Sequence, residues 1–154
     1  MIAKRCSRRP SVWLAALGLW GMVSCWAEGA EREALPAALA NARFYAWGMV
    51  GTPGQISIEE MSARGVARKW SLQNIRYRLL EANIEGRLYL LCVARRNYPD
   101  EYQELKNISG IRLGQKVTVF SGSVLQNVDA GALMEQFERS RCEPLGWSID
   151  GKAP

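Results

Sequence analysis

Apolar and polar positions alternate most clearly in the middle of the chain. Residues 74–80 and 87–94 read as two strands joined by a loop at residues 82–85. Pairing Glu81 with Gly86 sets Leu79 opposite Leu88, Tyr77 opposite Leu90 and Ile75 opposite Cys92, all on one apolar side. The other side carries Arg76, Arg78, Leu80, Arg87, Tyr89 and Leu91, so the pair has the two unlike faces of a half-buried hairpin. A slip of one residue mixes the two sets, which fixes the predicted register.

Shorter patterns surround that hairpin. Residues 43–50 alternate small and large side chains and suit a strand, ended by Gly51-Thr52-Pro53-Gly54. Ser57 and Glu60 form a capping-box pair ahead of a short helix over residues 58–64, with Gly65 just past its end. A strand over residues 55–59 is the competing reading. An acidic start and a basic end suit a helix over residues 100–106. Residues 116–120 predict a strand. Ser121-Gly122 either turns the chain into a partner at residues 123–128 or marks a bulge in one long strand. Asp129 is a suitable N-cap for a helix to about residue 141 that buries Leu133, Met134 and Phe137.

This order predicts an α+β domain: a small antiparallel sheet or partly open barrel with two or three short helices. In element order alone, residues 43–128 resemble the oligonucleotide/oligosaccharide-binding barrel. That resemblance implies a binding module for an anionic glycan, lipid headgroup or nucleic acid strand.

The first residues have a different character. Lys4, Arg5, Arg8 and Arg9 precede an uncharged run at 12–23, followed by small residues at 24–27. A basic start, a short apolar centre and a small-residue exit are the pattern of a secretory signal peptide. At ~1.5 Å per residue the apolar run spans roughly 18 Å as a helix, well short of the ~30 Å hydrocarbon core of a bilayer. The predicted organisation is a signal at 1–27, a leader at 28–41, one domain at 42–150 and a tail at 151–154. Met22-Val23-Ser24-Cys25 resembles the lipobox of bacterial lipoproteins, which implies cleavage before Cys25 and a lipid on it. Ser7-Arg8-Arg9 resembles a twin-arginine signal but lacks an apolar residue at Pro10 or Ser11.

Processing changes the meaning of charge. The whole chain is formally +5, but its first four basic residues leave with the signal and the remainder is +1. Overall basicity is therefore no argument for nucleic acid. Two cysteines, Cys92 and Cys142, then remain in the domain, and an even pair in an oxidising compartment predicts one disulfide. Two buried free thiols are the alternative.

Catalytic and metal chemistry find little support in the residue types. The chain has no histidine, which removes the commonest general base and most metal-ligand sets. It has no phosphate-binding loop, dinucleotide glycine fingerprint or nucleophile elbow. No catalytic residue, metal or cofactor is expected. Glu59 and Glu60 are neighbours that point apart on a helix. Charge is uneven, however: residues 64–96 hold eight basic side chains against Glu81 and Glu85. Within that stretch Arg76, Arg78, Arg87 and Tyr89 share the outer face of the predicted hairpin, where arginines beside an aromatic ring suit an anion or a partner surface. A solvated strand face paired with the acidic flanks is the plainer reading. Trp47, Trp70 and Trp147 serve either as a stacking surface or as core, and Asn107-Ile108-Ser109 fits a glycosylation acceptor.

The function expected from these observations is that of an exported accessory protein of a bacterial envelope, periplasmic, secreted or tethered to the outer membrane. It acts without catalysis by binding another protein, as inhibitor, assembly factor or secretion-apparatus component. The alternatives are the anionic-ligand module and a cell-wall hydrolase.

Overall fold

The computed structural model describes residues 33–48, 54–140 and Cys142. They lie within one compact unit, Glu31–Pro154. In chain order come α1 (Ala37–Ala40), α2 (Ile58–Lys69), α3 (Leu72–Arg78), α4 (Ile84–Asn97), α5 (Tyr102–Ile108), β1 (Lys116–Ser121), β2 (Val124–Asp129) and α6 (Ala130–Ser140). Single 3-10 turns at Leu79–Glu81 and Pro99–Glu101 extend α3 and introduce α5. The domain is thus mixed α and β, with six α-helices and one two-stranded antiparallel sheet among the described residues.

The hairpin expected at 74–94 is not formed; both of its arms are helical. In the first arm, Ile75 and Leu79 are buried and four residues apart, while Tyr77 between them is 49% exposed. That is helical spacing, and the Ser71 hydroxyl caps it by accepting from the Asn74 N–H at 3.3 Å. In the second arm every residue from Leu88 to Ala94 is buried. Helix α4 is the central rod of the domain, covered by α1, α2, α5, α6 and β1. A helix buried on all sides has no polar stripe, so a helical period leaves no mark on its sequence. Asn83 starts α4 by accepting from the Gly86 N–H at 2.9 Å, and its amide donates to the Ala42 carbonyl at 2.7 Å.

Elsewhere local chemistry is followed closely. Ser57 caps α2, its hydroxyl accepting from the Glu60 N–H at 3.0 Å, and Gly65 does not stop the helix, which runs on to Lys69. The helix expected at 100–106 begins as a 3-10 turn behind Pro99. β1 and β2 pair from Lys116↔Asp129 to Ser121↔Val124. Gly122 takes φ +60° at the first position of the two-residue turn, which a side chain would resist. Asp129 caps α6 by accepting from the Ala132 N–H at 2.9 Å, and Leu133, Met134 and Phe137 are buried. The strand expected at 43–50 is reduced to a parallel bridge between Tyr45 and Val119; residues 49–53 lie outside the described residues.

Cys92 and Cys142 form a disulfide with Cα atoms 5.6 Å apart, bonding Cys142, just past the end of α6, to the central helix. The Tyr45 hydroxyl donates to the Cys142 carbonyl at 2.9 Å, so the same point also anchors the segment before α2. The expected signal, Cys25 and Trp147 fall outside the described residues.

Candidate functional site

The site centres on Trp47. Its backbone is held next to α4 because the Ala46 N–H donates to the Tyr89 hydroxyl at 2.8 Å, and that hydroxyl lies 3.3 Å from Ser57 Oγ. Gly48 follows at φ +101°, a left-handed conformation that glycine adopts without strain. Its N–H donates to Glu60 Oε2 at 2.9 Å. The other Glu60 oxygen accepts from Arg64 twice, from Nε at 2.8 Å and Nη2 at 2.6 Å. A fully buried carboxylate thereby positions both the turn beside Trp47 and the Arg64 guanidinium.

Two guanidinium groups then meet the Trp47 ring, Arg64 at 5.9 Å and Arg96 at 5.5 Å from its centroid. These are cation–π distances. Trp47, Arg64, Ala67, Arg68, Arg96 and Asn97 line a cleft of about 380 Å³. Arg68 is oriented by a 3.2 Å bond from its Nε to the Arg64 carbonyl, and Asn97 donates to the Ala67 carbonyl at 2.6 Å, joining the end of α4 to α2. Three guanidinium groups thus share one opening, and Arg68 and Arg96 have no carboxylate partner among the described residues. Basic residues suit the last turn of a helix from any direction; here Arg64 and Arg96 meet one indole and Arg68 lines the same opening. Such a cleft can bind a carboxylate or phosphate group, with each guanidinium offering several N–H donors.

The neighbouring residue supplies a second buried carboxylate. Glu59 is buried, with Oε1 3.6 Å from Arg43 Nε and Oε2 without a hydrogen-bond partner. Burial raises the Tyr45 hydroxyl well above the usual tyrosine range. Burial also raises Tyr89, against the opposing effect of its bonds with Ser57 and Ala46, while the charges of Glu59 and Glu60 push further upward. Both hydroxyls are therefore neutral hydrogen-bonding groups that fix the backbone under the cleft.

The four residues expected to share a binding face are dispersed. Arg76 pairs with Glu104 at 2.7 Å. Arg78 pairs with Glu81 at 2.8 Å and donates to the Glu33 carbonyl at 3.1 Å. Arg87 donates to the carbonyls of Ala82, Ser109 and Leu80, joining α4 to the chain around it. Tyr89 is buried. Trp70, the second candidate stacking residue, is also buried, and its indole N–H donates to Glu33 at 2.6 Å. The arginines of the observed cleft belong to the same locally basic stretch, but only the helical phase of α2 and α4 brings them together. Arg64 and Arg68, four apart near the end of a capped helix, were the available signal.

Among the described residues no cluster of three or more acidic or cysteine side chains is arranged to hold a metal ion. No family model, curated protein or solved structure matches the chain.

Proposed function

We propose that this is an exported, non-catalytic accessory protein of a bacterial envelope that binds another protein through an acidic group seated in the Trp47 cleft. The placing of Arg64 and Arg96 over Trp47, with Arg68 lining the same cleft, carries this reading. Glu60 neutralises one of the three charges, and the remaining two favour an anionic partner. The Cys92–Cys142 disulfide supports a place outside the reducing cytosol, where such bonds persist. The basic, apolar and small-residue succession of residues 1–27 supports the same address. Mass spectrometry of the natural protein tests it: a start at Glu28 shows release, a diacylglyceryl group on Cys25 shows a tether, and a retained Met1 refutes export.

The cleft itself is tested by calorimetry with an acetylated triglutamate peptide. Arg68→Glu together with Arg96→Glu is expected to weaken binding at least about tenfold, and added salt to weaken it in the natural sequence. Equal affinity for natural and reversed-charge proteins would refute the site. The volume of the cleft also falls in the range of small-molecule sites, ~300–1,000 Å³. A free anionic glycan or lipid headgroup is accordingly the second reading, favoured if such a compound competes with the peptide.

A further inference from the structure

Helix α2 buries one side and leaves the other uncovered. Glu59, Glu60, Ala63 and Val66 face inward. Ile58, Met61, Gly65 and Arg68 recur at spacings of three and four and so share the outward side. Ile58 is 59% and Met61 54% exposed, and Ile56 just before the helix is exposed as well. The outward side is therefore divided along its length, with Ile58 and Met61 at the start and Arg68 and Lys69 at the end.

Between the two halves sits Gly65, the third outward position. Interior helix positions disfavour glycine, since it surrenders the most backbone freedom on folding. Packing among the described residues does not require it, because a Cβ there would meet nothing within 4 Å beyond its own stretch of helix. Its missing side chain would let another backbone lie close against the helix at this point.

Building on the reading of the Trp47 cleft as an anion site, we propose that this side of α2 is a docking groove for an extended segment of a partner protein. That segment places carboxylates in the cleft, crosses α2 at Gly65 and lays apolar side chains over Ile58 and Met61. Charge complementarity with Arg64, Arg68 and Arg96 selects its acidic end. From the middle of the apolar pair to the middle of the arginine pair is about 10 Å along the helix at ~1.5 Å per residue. About three residues of extended chain cover that length at ~3.3 Å each. A bilayer surface fits less well, because a helix lying in a membrane carries its apolar stripe along the whole length with basic residues beside it. Here the apolar and basic parts lie end to end.

The test uses two acetylated peptides, Leu-Leu-Ser-Glu-Glu, whose leucine and glutamate pairs are centred three residues apart, and the same peptide with both leucines replaced by serine, each also made in reverse order. One orientation of the leucine peptide is expected to bind about tenfold more tightly than its serine counterpart. The double variant Ile58→Ser, Met61→Ser should remove that difference while leaving the affinity for the serine peptide unchanged. Gly65→Leu should also remove it, with circular dichroism confirming an intact fold. Equal binding of leucine and serine peptides overturns the groove and leaves the anion cleft standing; failure of all the peptides to bind overturns both. Sedimentation with phosphatidylglycerol vesicles that Met61→Ser abolishes would replace the partner segment with a membrane. Self-association lost in the same variant would replace it with a second copy of the chain.

Discussion

Removal of the Glu60 carboxylate releases two partners at once, the Gly48 N–H and the Arg64 guanidinium. Glu60→Ala leaves a partly buried donor unmatched and is expected to cost about 2–3 kcal/mol, read as a lower urea midpoint at unchanged slope. The variant should also lose affinity for acidic peptides, because Arg64 is no longer held over Trp47. A second prediction at this scale concerns alkaline pH. Burial raises Tyr45 and Tyr89 above the ordinary value of 10.0 in the folded protein. Above that pH the unfolded chain releases protons that the folded chain keeps, so stability is full below about pH 10 and falls as pH rises beyond it. Tyrosinate absorbance should show the buried hydroxyls of Tyr45 and Tyr89 ionising only with loss of the near-ultraviolet dichroism. Trp47 was recognisable from the sequence as a candidate contact, but its arginine partners were not, because they come from two helices far apart in the chain.

Several elements with local signals are legible, whereas α3 and α4 read as strands although Ser71 and Asn83 cap them. Ser57 and Asp129 announce the starts of α2 and α6, and Gly122 announces the hairpin turn. Helix α4 carries no such stripe: apolar on all sides, it shows alternation that a strand would also show. Its cap, Asn83, lay in the residues assigned to a loop. Two glycines in neighbouring helices give this scale its prediction. At Gly65 a Cβ meets open space, so Gly65→Ala should stabilise the fold by about 0.5–1 kcal/mol through helix propensity. At Gly86 a Cβ would collide with the backbone carbonyl oxygen of Leu39. Gly86→Ala should therefore destabilise by about 2–3 kcal/mol despite the same propensity gain. Thermal denaturation of the two variants checks the opposite signs; a rise in both would refute the close packing of α1 on α4.

For the molecule as a whole, the disulfide joins residues 50 apart and bonds the chain beyond α6 to the buried α4. The pairing is legible because the predicted domain holds only two cysteines, whereas the fold around it is not, since residues 87–94 of α4 read as the second strand of a hairpin. Opening the loop enlarges the unfolded ensemble, and reduction is expected to lower stability by about 4 kcal/mol on the chain-entropy account. Both sulfurs are buried, so reduction should require prior unfolding; the oxidised protein should resist dithiothreitol in buffer and yield to it in urea. The same anchoring restrains Tyr45, whose hydroxyl bonds Cys142 and whose chain neighbour Ala46 bonds Tyr89. Part of the long-range restraint on the segment that presents Trp47 thus runs through the closed disulfide, and reduced protein is expected to bind acidic peptides more weakly.

Nuclear magnetic resonance gives the most direct test, through the indole N–H of Trp47 and the side-chain N–H groups of Arg64 and Arg96 during addition of triglutamate. Saturable shifts at these three residues, diminished by salt, are the predicted result. Shifts confined to Arg76 and Arg78, or none at all, would contradict an anion site at the cleft.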